Sequence, residues 1–258
     1  MKTRYIISLS GGLGSFGAAK LINDVTQDYE MVFCDTKTED EDLYRFLVDM
    51  ERIFKKKIIR VVDGRNIWEV FRDVRFHGNS RIDPCSRVLK REPFKEYMKG
   101  KDATLVVGIG PNESKRMVSI ERNWAPTKVI APLIEANTQK EEILDWLDGY
   151  GVKPPRLYDM GFPHNNCGGF CVKTGQKQMA LLLKQMPERY AHHEQEQEKT
   201  FAHIGQARGF IRKWVNGELK YLSLKEFRLS LQGGEQAEMF DESGCGCFSD
   251  EETNETKT

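Results

Sequence analysis

Ser10-Gly11-Gly12-Leu13-Gly14-Ser15 is the stretch on which the reading of this chain turns. The apolar run Tyr5-Ile6-Ile7 precedes it, and a helix-like segment through Ala18, Ala19, Leu21 and Ile22 follows. A strand, a glycine-rich turn and a helix start, in that order, make an anion site. Glycines let backbone amides approach a phosphate, and the helix N-terminus adds unpaired N–H donors and a favourable dipole.

Outward from that loop, the first half of the chain alternates strand-like and helix-like segments, the pattern of a parallel sheet with crossover helices. Residues 4–9 read as the first strand and 15–25 as a helix. Met31-Val32-Phe33-Cys34 is a second, buried strand ending at Asp35-Thr36. A helix over about 40–55 places Leu43, Phe46, Leu47 and Met50 at helical spacing. Ile58 to Val62, Leu105 to Gly108 and Lys128 to Ile130 complete the strand series. In a doubly wound sheet, ligands bind beyond the carboxyl ends of the strands near a topological switch point. Ser10–Ser15, Asp35-Thr36 and the segment from Gly108 all fall at such ends, which argues for one shared site.

The chain has 258 residues, room for one large α/β domain or a smaller one with an appendage. Lys+Arg and Asp+Glu balance at 39 each, so no global charge draws it to nucleic acid or membrane, although local basic patches remain open to it. No apolar run approaches the roughly 20 residues of a membrane span. Met1-Lys2-Thr3-Arg4 runs straight into the first strand and leaves no room for a signal peptide, so a cytoplasmic protein is expected. In a reducing compartment the six cysteines point to metal, iron–sulfur or redox chemistry rather than disulfides.

Two nucleotide-binding arrangements use such a loop. Gly12-Leu13-Gly14-Ser15-Phe16-Gly17 fits the G-x-G-x-x-G spacing of dinucleotide sites, with Asp35 placed 18 residues past Gly17 for a ribose. Against it stand Ser10 and Ser15, whose hydroxyls flank the glycines and suit phosphate coordination. Gly108-Ile109-Gly110-Pro111-Asn112-Glu113-Ser114-Lys115-Arg116 also adds a second polar loop after a later strand.

With these residues the chain resembles the phosphoadenosine phosphosulfate (PAPS) reductase-like branch of the PP-loop superfamily, over roughly residues 4–175. The resemblance rests on Ser10–Ser15 as an S-G-G-x-x-S loop, Asp35-Thr36 with Glu39 beyond, Cys85-Ser86-Arg87, and Gly108 with Glu113-Ser114-Arg116. Leu157-Tyr158-Asp159-Met160-Gly161-Phe162, leading to Cys167, adds to it. It implies an α/β fold with a doubly wound, mostly parallel, Rossmann-type sheet and a helical C-terminal extension. It also implies that Ser10, Gly11, Gly12, Leu13, Gly14 and Ser15 cradle the phosphates of an adenine nucleotide such as ATP. Asp35, Thr36 and Gly108 would stand near the nucleotide, and Ser15, Glu113, Ser114 and Arg116 are the candidate catalytic residues. Many ATP-cleaving members carry Asp where this chain has Gly14, which removes a carboxylate that could help organise Mg²⁺.

The Cys167-Gly-Gly-Phe-Cys171 pair has glycines that permit the tight turn two ligands of one centre need. Iron–sulfur members of the reductase family have an earlier cysteine site and a late pair. Cys85 with Cys167 and Cys171 follows that layout, although Ser86 stands where a doubled cysteine would be. Cys245 or Cys247 could complete the set, and four thiolates suit a [4Fe–4S] cluster or Zn²⁺ equally. The alternative use of the tail pair is as redox or sulfur-carrying thiols. The Glu-Cys-Gly-Leu-His motif of the sulfate-assimilating reductases is missing.

The remaining expectations are local. Thr138 is expected to cap a helix with Glu141 three residues on, and Ser223 a last helix through Leu231. Arg87, Lys90 and Arg91 read as a solvated helix face or as phosphate contacts, His192-His193 as solvent-facing, and Cys34 as core. His164, beside the cysteine motif, is expected near the centre as a ligand or a support for one. The divisions expected are 1–172 for the nucleotide domain, 173–232 for the helical extension and 233–258 for a mobile tail. The leading functional expectation is an ATP-dependent enzyme that adenylates and thiolates an acceptor. The acceptor would be a nucleic acid contacted by Arg87, Lys90, Arg91 and Lys115, with a sulfur-donor protein as further partner. A sulfonucleotide reductase and a non-catalytic nucleotide-binding module with structural zinc are the alternatives.

Overall fold

A computed structural model of the chain describes residues 4–237. Its centre is a sheet of five parallel strands. These are β1 (Arg4–Leu9), β2 (Tyr29–Asp35), β3 (Ile58–Val62), β4 (Ala103–Val107) and β5 (Val129–Ile130), in the spatial order β3-β2-β1-β4-β5. Ile7 of β1 lies level with Met31 of β2 on one side and Val106 of β4 on the other. The order runs one way from β1 and the other way from β4, so the switch point falls between their carboxyl ends, where α/β sheets open a crevice.

Strand residues alternate between two dry faces. Ile7, Leu9, Met31 and Phe33 pack under α1 (Leu13–Val25) and α2 (Glu41–Phe54) through Phe16, Ala19, Leu43, Phe46 and Met50. Ile6, Val32, Cys34, Leu105 and Val107 meet Phe94, Met98, Ile120 and Trp124 on the other face. Burial on both faces explains why these strands read as continuous apolar runs. The short α2 N-terminus is held by Asp40, whose side chain accepts from the Asp42 amide.

A third apolar cluster joins α3 (Ile67–Asp73), the segment around Phe162, Phe170 and Val172, and the helices Gln176–Gln185 and Pro187–Ile204. Phe210, Ile211, Leu224 and Phe227 close it from the C-terminal side. The chain here is not the purely helical extension expected from sequence. β6 (Ile211–Val215) and β7 (Glu218–Leu222) form an antiparallel hairpin about Asn216-Gly217, both at positive φ. Ser223 then caps the helix Leu224–Gln232 in a box with Glu226, in agreement with expectation.

Three local readings change. The helix Lys140–Gly149 is capped by Gln139 with Glu142, one residue later than expected. Thr138 is instead buried, its amide bound to the Leu133 carbonyl. His193 is buried rather than solvent-facing, its Nδ1 accepting from Trp68 Nε1 at 3.0 Å and its ring stacked on Phe170. Lys90 and Arg91 are likewise buried, within a π-helical turn over Arg87–Arg91 whose residues from Val88 to Arg91 are all buried. Pro93 follows directly, and an α-helical Pro would drive its ring against the Leu89 carbonyl, a clash that a widened turn relieves.

Candidate nucleotide site

A cavity of about 370 Å³ opens beyond the carboxyl ends of β1 and β4. Its floor and near wall are Ser8 to Ser10, Gly12 to Ser15, Phe33, Cys34 and Lys90. Gly108 to Glu113 and Arg116 form the second wall, and Lys140, Tyr158 and Pro163 to Asn166 the third. All three walls are loops leaving strand ends or helix starts, which is why residues far apart in sequence meet here.

The loop is built for close backbone approach. Gly11 holds φ +73, a conformation that costs glycine little, and a Cβ there would strike Leu43. Gly12 caps α1 without a side-chain hydrogen bond, leaving the first-turn amides to be met from outside the helix. Tyr158 Oη accepts from the Leu13 amide at 3.2 Å. Ser15 Oγ donates to the Gly12 carbonyl at 2.9 Å and stands 3.4 Å from Ser10 Oγ, so the two hydroxyls meet across the loop. Asn165 Nδ2 donates to the Gly11 carbonyl at 2.8 Å and ties the third wall to the loop.

Two buried polar atoms on these walls have no hydrogen-bonding partner among the described residues: Asn165 Oδ1 and Arg116 Nε. Arg116 also pairs with Glu113 across one turn. A buried donor and acceptor left unpaired beside a cavity fit a polar ligand, and the guanidinium fits an anionic one. Mg²⁺ bound to a triphosphate keeps most of its ligands from water and phosphate, and Glu113 is the carboxylate of the second wall that could meet it. Burial pushes the His164 imidazole below its ordinary pKa, opposed by Glu113, so the neutral ring is favoured at the rim.

Below the cavity lies a buried ionic cluster that sequence reasoning touched only in passing. Glu39, fully enclosed, accepts from Thr36 Oγ1 at 3.0 Å and from the Cys167 amide at 2.5 Å. Lys90 Nζ stands 3.3 Å from Glu39 Oε1 and 3.9 Å from Cys167 Sγ. Cys34 donates its thiol to the Lys90 carbonyl at 3.6 Å, and burial pushes that thiol up to about 12. Cys34 is therefore both core, as expected, and part of the cavity floor.

Other expected residues stand apart from the cavity wall. Asp35 accepts from Tyr44 Oη and the Lys37 amide, both at 2.8 Å, and Thr36 turns to Glu39, so Phe33 and Cys34 take their place on the wall. Ser114 is exposed, off the wall that Glu113 and Arg116 share. Cys85 is half-buried against the third apolar cluster. Cys167 opens a turn at φ +51, and Cys171 accepts from the Lys173 amide at 3.5 Å. Among the described residues no three His, Cys, Asp or Glu side chains converge on a point where one ion could sit. Cys245 and Cys247, from which the expected ligand set would take its fourth thiolate, lie outside the described residues. Among the described residues, no helix is long and apolar enough to cross a membrane.

The model of the phosphoadenosine phosphosulfate reductase domain matches residues 4–209. The chain belongs to that family, within the PP-loop superfamily, and has its Rossmann-like α/β fold. Two uncharacterised proteins of Methanocaldococcus jannaschii are similar to it. MJ0973 is 29% identical over 175 residues, 62% of this chain and 39% of its own length. MJ0066 is 28% identical over 199 residues, 73% of this chain and 40% of its own. The chain thus spans about two-fifths of these relatives. Among solved structures, a PAPS reductase from Candida auris in a phosphate complex aligns with TM-score 0.48 and 15% identity, over 63% of this chain and 80% of that one. The U34-tRNA thiolase NcsA from Methanococcus maripaludis, with its [4Fe-4S] cluster, aligns with TM-score 0.45 and 16% identity, over 87% and 80%.

Proposed function

We propose that the chain is an ATP-dependent enzyme that adenylates an acceptor oxygen, of a nucleic acid by preference, and primes it for thiolation. The observation that carries this reading is the pairing of an open helix start at Gly12–Ser15 with the unpartnered Arg116 Nε across the same cavity. Family membership supports an adenine nucleotide as the ligand.

In this reading the Gly14 and Ser15 amides at the start of α1 and the Ser10 and Ser15 hydroxyls hold the phosphates. Arg116 neutralises charge that develops as the α–β bond breaks, and Lys140 adds a second cation on the opposite wall. The acceptor oxygen attacks the α-phosphorus, pyrophosphate leaves, and the acceptor carries AMP. Sulfide then displaces AMP, which departs with the acceptor oxygen and leaves a thiol on the acceptor. Asp35, Thr36 and Ser114 would act by shaping strand ends and loop rather than by touching phosphate.

Incubation of the full chain with α-labelled ATP and, in parallel, with PAPS tests the reading. Pyrophosphate and label transferred to bulk RNA, with AMP released when sulfide is added, support it. Sulfite released from PAPS with a thiol reductant, and no pyrophosphate from ATP, would make it a sulfonucleotide reductase instead. Tight ATP binding without turnover in either arm would make it a binding module.

A further inference from the structure

Asn165 is a cavity-wall residue only 1% exposed, and its side chain lies over the start of α1, with Cβ 3.9 Å from where a Gly12 Cβ would stand. Chemistry settles which way its amide points. The Gly11 carbonyl can only accept, so the atom 2.8 Å from it is Nδ2, and Oδ1 is the other arm. That oxygen is buried and has no hydrogen-bonding partner among the described residues. A buried acceptor calls for a donor or a cation.

The phosphates that the glycine loop would hold can supply neither, because ionised phosphate oxygens accept and do not donate. Acceptor would face acceptor. A hard divalent cation resolves the conflict: it takes an amide oxygen and phosphate oxygens into one shell and fills the remainder with water. We propose that Asn165 Oδ1 is a ligand of such a cation, Mg²⁺ by preference, which ties the cavity wall to the phosphates. The inference rests on the reading that ATP phosphates occupy the glycine loop, and it names the protein oxygen that meets their metal.

Other sources of that oxygen are less suited. Position 14 cannot carry a side chain, since a Cβ there would run into the Gly108 carbonyl oxygen. Glu113, the carboxylate of the second wall, is already paired with Arg116. A neutral amide also leaves the full charge of the metal to act on the phosphates. No cluster of acids is needed, because most ligands of such an ion are phosphate and water.

The wall that carries Asn165 is fixed on both sides. Arg156 donates to the Asp40 carboxylate through Nε and Nη2, both at 2.8 Å, and the Cys167 amide donates to Glu39 at 2.5 Å. With Nδ2 held by Gly11 as well, Oδ1 is set in place before a ligand arrives.

Calorimetric titration of ATP into the full chain, in Mg²⁺ and in EDTA, tests the proposal with N165A and N165D. Both variants lose the hydrogen bond to the Gly11 carbonyl, and only N165D keeps a side-chain oxygen for the cation. The gain in affinity that Mg²⁺ brings should fall about tenfold in N165A and persist in N165D. Loss of the Gly11 contact alone would weaken binding in both buffers and in both variants alike. An unchanged Mg²⁺ gain in N165A, or an equal loss of it in N165D, would therefore overturn the site. Pulsed electron paramagnetic resonance of Mn²⁺ with ATP, on wild-type chain labelled with carbon-13 asparagine, needs no variant. Coupling between the metal and a labelled carbon is expected, and bound Mn²⁺ without it would overturn the site. Inorganic pyrophosphate in place of ATP separates this proposal from the reaction. A Mg²⁺ gain that depends on Asn165 for pyrophosphate, with no binding of ATP, would leave the cation site standing and defeat the adenylating reaction. ATP turnover with a Mg²⁺ gain indifferent to residue 165 would do the reverse.

Discussion

Gly14 and Gly108 pack backbone against backbone at the switch point of the sheet. A Cβ on Gly108 would lie 2.5 Å from the Ser15 amide nitrogen and 2.6 Å from the Gly14 carbonyl. A Cβ on Gly14 would in turn enter the Gly108 carbonyl oxygen. Gly14 is therefore more than the loss of a carboxylate. It is one half of a contact that brings the β1 loop onto the end of β4, and Gly108 is the other half.

An Asp at position 14 should consequently not restore metal binding in this chain. Both G14A and G14D are expected to lose about 1–3 kcal/mol of stability, the usual cost of forcing volume into a packed contact. Urea unfolding measures that loss, and ATP titration should show weaker binding in both. Tighter ATP binding in G14D would refute the close-packing argument.

Lys90 and Glu39 form an ion pair with little solvent, so removing one partner strands the other. K90M is expected to cost about 3 kcal/mol in chemical denaturation, and K90M/E39Q less than the sum of the two single changes. Strict additivity would mean that the pair does not interact.

His193 gives the fold an acid sensitivity of known sign. Burial, with His192 and Arg189 adding to it, lowers its pKa to about 3 from an ordinary 6.5. Between those values the unfolded chain holds a proton that the folded chain does not. Stability from this residue is thus complete above about pH 6.5 and declines as pH falls, by about 1.4 kcal/mol per pH unit. The difference between wild type and H193Q, measured by urea unfolding between about pH 6 and 4, should show that slope. Parallel curves would show that His193 is protonated in the fold.

Much of the fold was legible because each central strand is a short apolar run followed by a helix with apolar residues at helical spacing. The loop, too, could be read, since Ser10–Ser15 sits at a strand end. Buried polar residues were harder. The helix Pro187–Ile204 buries Tyr190, His193, Gln197 and Thr200 at helical spacing. Those residues reach partners distant in sequence, as when Tyr190 Oη donates to the Leu224 carbonyl and Gln197 Oε1 accepts from the Leu224 amide. Hydropathy cannot register such a face. The hairpin, by contrast, had a signal: Asn216-Gly217 between Ile-Arg-Lys-Trp-Val and Glu-Leu-Lys-Tyr-Leu is a strong turn motif, overlooked among polar helices. Glu39 and Lys90 meet only through tertiary packing, and no spacing reveals that.

The most direct measurement of the central claim is calorimetric titration of ATP into the full chain and into R116M. Arg116 presents the buried unpartnered donor of the cavity, and a charged hydrogen bond of that kind is worth about 1.5–3 kcal/mol. Saturable binding to the wild-type chain, weakened tenfold or more in R116M at unchanged stability, is the expected result. Equal affinity in the two proteins would contradict an adenine nucleotide held between the glycine loop and Arg116.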